Sequence, residues 1–160
     1  MMISKKGLDF IKLAEGVKLN AYQDSVGIWT IGYGTIRHDG QPVRKGDTCT
    51  PNQAEAWLSS HIATEVEPHI NKLVKVKITQ DMFDVFCSFI YNLGWGAFST
   101  STMLKLLNAG DYKGAAAQIL HWNKEKKGDV FVVSRGLDKR RKDEYEIFVA
   151  SINDINSNIG

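Results

Sequence analysis

From Thr79 onward, Met82, Phe83, Phe86, Phe89 and Ile90 recur at the spacing of one helical face. A helix carrying so wide a stripe of large apolar side chains must be covered by other elements, so this face is read as core. Cys87 falls inside the same run, Val85-Phe86-Cys87-Ser88-Phe89-Ile90, and is read as a small buried hydrophobe. The other cysteine, Cys49, has no partner motif, and a disulfide between the two is the open alternative. At 160 residues and 43 % apolar content the chain is long enough for one or two small lobes with a proper core.

Punctuation along the rest of the chain also reads as helices. Thr50, Pro51 and Gln53 have the pattern of an N-cap, a first-turn proline and a capping-box partner, predicting a helix through about Val66. Asn92 to Ala97 breaks the apolar helix. Ser101 or Thr102 starts a short helix ended by Asn108 and Gly110, and Asp111 caps the next, with Ala115, Ala116, Ile119 and Leu120 inward. A last helix begins near Leu137 and packs through Tyr145, Phe148 and Val149. The tail from Ser151 is expected to fray.

The start of the chain carries the chemistry. Leu8, Ile11 and Glu15 share one helical face, with Ser4 as N-cap and Gly16 just past the end. Glu15 therefore sits in the last turn, on the apolar side. Desolvation and the negative end of the helix dipole both disfavour its charged form, as a general acid requires. Asp24 precedes Ser25-Val26-Gly27, a short turn between strands. A turn centred on Val26 sets Asp24 opposite Ile28 and Tyr22 opposite Thr30, so that Asp24 and Thr30 converge. Two carboxyl groups in contrasting environments, with a hydroxyl beside the wetter one, suit the acid and base of a glycoside hydrolase. Spacing alone leaves open a plainer account, in which Glu15 is a helix-end residue and Asp24 a turn former.

The run from Leu13 to Thr35, with Glu15-Gly16, Asp24 and Thr30-Ile31-Gly32-Tyr33-Gly34, resembles the bacteriophage lysozymes, or endolysins, of glycoside hydrolase family 24. The similarity continues through Gly40–Thr48, Phe89–Gly94, Leu107–Tyr112, Arg135-Gly136-Leu137, Arg140-Arg141 and Glu144. It implies an α+β, mostly helical lysozyme-like fold forming one catalytic domain over 1–160. A small N-terminal lobe (about 1–50) with a short antiparallel sheet is joined by the helix of about 51–66 to a larger helical lobe (about 67–160), with a glycan cleft between. The substrate implied is peptidoglycan, cut at the β-1,4 bond between N-acetylmuramic acid and N-acetylglucosamine. Glu15 would be the proton donor, and Asp24 with Thr30 would position the attacking water, with inversion at the anomeric carbon. Ile36, Tyr91, Ser101 and Gln118 are the substrate contacts carried over, each with a core or capping role as its alternative. Arg140, or Arg141 beside it, matches the family's arginine near the catalytic Glu, and there it would oppose the rise in the Glu15 pKa. Two departures are visible: Thr35 stands where many relatives have His, and Lys124–Ser134 replaces a shorter Gly- and Pro-containing stretch.

Net charge is only +2, yet Lys124, Lys126, Lys127, Arg135, Lys139, Arg140, Arg141 and Lys142 crowd the last third. Such a region favours encounter with an anionic wall, although a solvated helix face accounts for most of these lysines. Nucleic-acid binding is disfavoured, since no recognised module or regular aromatic interleaving accompanies the basic run. The four His residues form no His-x-x-x-His pair, so neither metal nor cofactor is assigned. Residues 1–7 show no signal-peptide h-region and the chain no apolar span of membrane length. The expectation is residence in the host cytoplasm, release that depends on a holin, then action on the wall in the periplasm, as a monomer without membrane anchor. A lytic transglycosylase, a chitin hydrolase and a non-catalytic wall- or membrane-active protein are the other classes. Asp24 with Thr30 argues against the first, and the intact set with Glu15 against the last.

Overall fold

A computed structural model describes residues 1–156 of the chain. The elements are α1 (Lys5–Glu15), β1 (Lys18–Gln23), β2 (Trp29–Gly32), β3 (Arg37–His38), β4 (Gln41–Pro42), α2 (Pro51–His61), α3 (Glu67–Leu73), α4 (Gln80–Leu93), α5 (Trp95–Ser99), α6 (Thr102–Asn108), α7 (Tyr112–Ile119), β5 (Lys124–Lys127), β6 (Val130–Val133) and α8 (Arg135–Ala150). The architecture is mostly helical with small antiparallel sheets.

α4 is the hub. Every residue from Met82 to Ile90 is buried, including Asp84 and Ser88. α1, α3, α5 and α8 pack around it, so the predicted stripe is covered on all sides. Phe86 meets Phe98 and Phe148, and Phe89 meets Phe98 and Trp122, in tilted and edge-on pairs. The Cys87 thiol is buried there and its pKa is pushed up by desolvation. Both cysteines are free thiols.

Local signals set most helix ends. Thr50 and Gln53 form the reciprocal capping box at the start of α2, worth about 1 kcal/mol. Ser4, Thr79, Ser101, Asp111 and Ser134 each accept an N–H of their first turn. The helix expected to end near Val66 does not stop there. A π turn over Ile62–Val66, closed by the Glu67 N–H donating to the Ile62 carbonyl, passes directly into α3 with Pro68 in its first turn. The break after α4 is filled by the one-turn helix α5. α8 begins at Arg135, two residues before the expected start, because Ser134 caps it through the Leu137 N–H at 3.3 Å. Ser151 to Ile155 does not fray: Ser151 is buried and exchanges a 2.7 Å hydrogen bond with Thr79, and a 3₁₀ turn spans Ile152–Ile155. Residues 157–160 of the expected fraying tail lie outside the described residues.

In the first sheet, β1 and β2 pair antiparallel with Tyr22 opposite Thr30 and Gln23 opposite Trp29. The Asp24 N–H donates to the Ile28 carbonyl at 2.9 Å, so the turn centres on Val26, with Gly27 at φ 88°. Gly32 lets β2 lie against α2, since a Cβ there would stand 3.2 Å from that of Ala54. β3 and β4 form a second hairpin through Asp39 and Gly40, at φ 52° and 75°, the pair of left-handed residues that a tight two-residue turn needs. The segment Lys124–Ser134 forms a third, exposed hairpin, β5–β6, turning at Gly128 and Asp129. In the basic last third the lysines are all exposed, Lys139 and Lys142 on α8 beside Asp143 and Asp138 and Lys124, Lys126 and Lys127 on the hairpin, whereas Arg140 and Arg141 are buried. Among the described residues, no helix is long and apolar enough to cross a membrane.

Candidate active site

α1 ends at Glu15 because Gly16, at φ 69°, donates its N–H back to the Lys12 carbonyl and turns the chain away. The helical face that buries Ile11 delivers the Glu15 side chain, 20 % exposed, to the wall of a cleft. Its Oε1 accepts a 2.7 Å charge-assisted hydrogen bond from Arg140 Nη1. Its Oε2 lies on the side of Gly34, where a Cβ would stand 3.6 Å from that oxygen and 3.5 Å from the Tyr91 hydroxyl. Gly34, at φ 94°, thus keeps open the space between Glu15 and Tyr91.

Of the two neighbouring arginines, Arg140 is the one that reaches Glu15. It is 8 % exposed and spreads its fork over α4, with Nε donating to Ser88 Oγ at 3.2 Å and Nη2 to the Ser88 carbonyl at 3.3 Å. Ser88 Oγ in turn donates to Glu144 Oε2 at 2.7 Å. Arg141 points the other way. Its Nη2 donates to Glu144 Oε2 at 3.1 Å, and its Nε stands 2.7 Å from Oε1 in an ion-pair contact without hydrogen-bond angles. Its guanidinium lies 5.3 Å from the centre of the Phe89 ring. Burial pushes the Glu144 carboxyl up, and the charge of Arg141 pulls against that shift.

The cleft holds about 690 Å³. One wall is the loop from Gly34 through the β3–β4 turn, and the other is the face of α2 and the π turn that carries Trp57, Ser60, His61, Thr64 and Glu65, with Tyr91 and Asn92 between. His38 stacks on Trp57 at 4.1 Å, closing the outer lip. The His61 ring meets Tyr91 edge-on at 5.5 Å, and desolvation holds its pKa down against the charge of Glu65. The Tyr91 hydroxyl donates to the Tyr33 carbonyl, and burial together with the Glu15 charge pushes its pKa up.

Asp24 and Thr30 are brought together, although neither lines this cleft. Asp24 Oδ1 accepts from the N–H groups of Val26 at 3.0 Å and Ile28 at 2.8 Å, and Thr30 Oγ1 donates to the Ile28 carbonyl at 2.9 Å. Both side chains therefore grip the Ile28 residue from one face of the hairpin. Tyr22, paired with Thr30, has its phenol pushed up by partial burial and then by the negative charges of Glu15 and Asp24, which places it in the field of both carboxylates. Ile36 is exposed in the cleft and Tyr91 lines it.

Ser101 and Gln118 stand apart from that lining. Ser101 is buried at the start of α6, donating to the Phe98 carbonyl at 2.7 Å and accepting the Leu104 N–H, so it caps that helix. Gln118 is half-buried on α7. Sequence reasoning missed His38, Trp57, His61 and Glu65. The first had a signal, since Asp39-Gly40 between short flanks is a strong hairpin marker. The others sit at helical spacing, but polar residues so spaced look like any solvated helix face.

The sequence profile of the phage lysozyme family matches residues 12–144 of this chain. The endolysin of Acyrthosiphon pisum secondary endosymbiont phage 1 is 45 % identical over 148 residues, covering 92 % of this chain and 98 % of that protein. The endolysin of Bacillus phage B103 is 39 % identical over 151 residues; the match covers 93 % of this chain but only 54 % of that longer protein. Among solved structures, the endolysin from Escherichia coli O157:H7 phage FAHEc1 superposes with a TM-score of 0.89 at 45 % identity, covering 95 % of this chain and 96 % of that one. With the fold, the cleft and the carboxylates at its side in view, these matches agree on one assignment: the chain belongs to the phage lysozyme family, enzymes of the endolysin type.

Proposed function

We propose that this chain hydrolyses the β-1,4 bond between N-acetylmuramic acid and N-acetylglucosamine of peptidoglycan, lysing the host cell for phage release. The observation that carries the proposal is the setting of Glu15. One carboxyl oxygen is clamped by Arg140, while the other faces the cleft beside Gly34 and Tyr91. A carboxyl held this way presents a single oxygen to a leaving group, which is the geometry of a positioned general acid. Asp24 spends Oδ1 on two backbone N–H groups and keeps Oδ2 for a water, with Thr30 locking the same turn. In this reading Asp24 and Thr30 guide that water to the face opposite the leaving group, and the configuration inverts. Ile36 and Tyr91 contact the glycan, and Arg140 positions the acid rather than touching sugar. The enzyme acts as a monomer, waits in the host cytoplasm for a holin, and then cuts the wall from the periplasm.

The test is digestion of purified peptidoglycan by wild type and Glu15→Gln, with mass and reducing-end analysis of the products. New reducing N-acetylmuramic acid ends from wild type alone support the reading. Anhydro ends would assign a transglycosylase instead, and no cleavage by either protein would return the chain to a binding or membrane-active role. Lysis on schedule without a holin would overturn the release route.

A further inference from the structure

The β5–β6 hairpin contributes nothing to the lining of the cleft. Its pairing sets Lys124 opposite Val133 and Lys126 opposite Phe131, and Glu125 opposite Val132 and Lys127 opposite Val130. Directly opposed residues project to the same side of a two-stranded ribbon, and successive residues alternate. The hairpin therefore has two unlike faces. One carries Glu125 and Lys127, which pair at 3.6 Å, with Val130 and with Val132, the one half-buried residue of the two strands. The other carries Lys124, Lys126, Phe131 and Val133 with no carboxylate among them.

That second face is open. Phe131 is 65 % exposed and Val133 59 %. Among the described residues, neither Lys124 nor Lys126 takes part in an ion pair, whereas Lys127, Lys139 and Lys142 do. A surface at once apolar and cationic matches the boundary of an anionic bilayer, where rings and aliphatic groups enter the headgroup region and ammonium groups reach lipid phosphates. A hydrated glycan would engage the lysines but would leave Phe131 and Val133 in water.

We propose that the β5–β6 hairpin docks on an anionic phospholipid surface, with Phe131 and Val133 in the interface and Lys124 and Lys126 on the phosphates. Two apolar side chains and two cations make a reversible attachment rather than an anchor. The cleft stays free while the enzyme is held at the membrane.

The test is co-sedimentation of the full chain with vesicles of phosphatidylglycerol and phosphatidylcholine, and with vesicles of phosphatidylcholine alone. Wild type partitions onto the anionic vesicles only. Lys124→Glu with Lys126→Glu lowers that partitioning roughly thirtyfold or more, at about fivefold per lysine lost from the surface. Phe131→Ser with Val133→Ser lowers it roughly tenfold. A reference variant with the same net charge, Lys105→Glu with Lys113→Glu on α6 and α7, loses less than about threefold, because those lysines lie outside the docking face. All variants keep the wild-type melting temperature and cleave lipid-free peptidoglycan within about twofold of wild type, since the substitutions are exposed. The proposal is overturned if wild type shows no preference for anionic vesicles or if the reference variant loses as much as the hairpin variants. It also falls if the hairpin variants lose pelleting with purified peptidoglycan while vesicle binding is intact.

Discussion

Replacing Gly7 by alanine sets two effects of opposite sign against each other. Gly7 lies within α1, and alanine is the better helix former by about 1 kcal/mol, so propensity alone makes Gly7→Ala stabilising. At this position, however, α1 crosses α4. A Cβ on Gly7 would stand 2.5 Å from Asp84 Cγ and 2.7 Å from both its Cβ and its Oδ1. Asp84 cannot swing aside cheaply. It is 6 % exposed, its Oδ1 accepts from the Ser4 N–H and from Gln80 Nε2, each at 2.9 Å, and its Oδ2 accepts from the Ser4 hydroxyl that caps α1. Overpacking costs about 1 to 3 kcal/mol, and each charge-assisted hydrogen bond strained or lost adds about 1.5 to 3 kcal/mol. After the gain in propensity the net loss is about 2 to 4 kcal/mol. For a chain of this size the melting temperature should fall by roughly 5 to 15 °C. Calorimetry of wild type and variant at neutral pH reads this directly. Activity on peptidoglycan should fall as well, because α1 ends at Glu15 and moves as a rod. A melting temperature equal to or above that of wild type would refute the argument, showing that propensity decides and the helices part freely.

Arg140→Lys keeps the charge but loses the fork that spans Ser88 and Glu15, so kcat should fall roughly 10- to 100-fold with little change in KM. Wild-type activity in Arg140→Ala would remove the arginine from the site. Arg141→Met strands the buried Glu144 and should cost about 3 to 5 kcal/mol by urea denaturation, whereas Arg141→Met with Glu144→Leu should regain most of it. Because the folded Glu144 carboxyl is raised, the native state holds its proton longer than the unfolded one. Stability should fall as pH rises from about 4.3 through the raised value, and Glu144→Gln should flatten that slope. The depressed His61 works in the other sense. Its NMR titration should centre below about 6.5, and fold stability should drop as pH falls from that value, as the unfolded chain takes the proton first. Glu65→Gln should lower the midpoint further, and a midpoint at or above 6.5 in wild type would contradict the packing against Tyr91.

What could be read from the residues was whatever depends on near neighbours. The stripe on α4, the capping box at Thr50, the N-caps at Ser4, Thr79 and Asp111, and the turn centred on Val26 with its Tyr22–Thr30 register are all local patterns, and all are in the structure. Glu15 at the end of α1 could be placed, but its clamp could not. Arg140 lies 125 residues away, and its choice over Arg141 is made by which side of α8 faces Ser88. Ser101 shows the same limit from the other side, since one serine serves equally as cap or as sugar ligand until the surroundings are known. The β5–β6 hairpin was missed although Val130–Val133 is a strong strand former, because its partner strand, Lys-Glu-Lys-Lys, has no apolar alternation to mark it.

The π turn between α2 and α3 bears on how sequences of unequal length should be laid against this one. A turn of this kind holds one residue more than an α turn, so removing any one residue within Ile62–Val66 would leave helical hydrogen bonding continuous. What hardly changes is phase. The five residues of the π turn sweep about the same angle as four in an α-helix, so the shorter helix would still turn Ile70 to the core and His69 to the Trp95 ring, on which it stacks at 4.4 Å. A homologue with a single-residue gap here should therefore need no compensating change at the positions of His69, Ile70 and Trp95, and the gap belongs inside the turn rather than in the loops on either side.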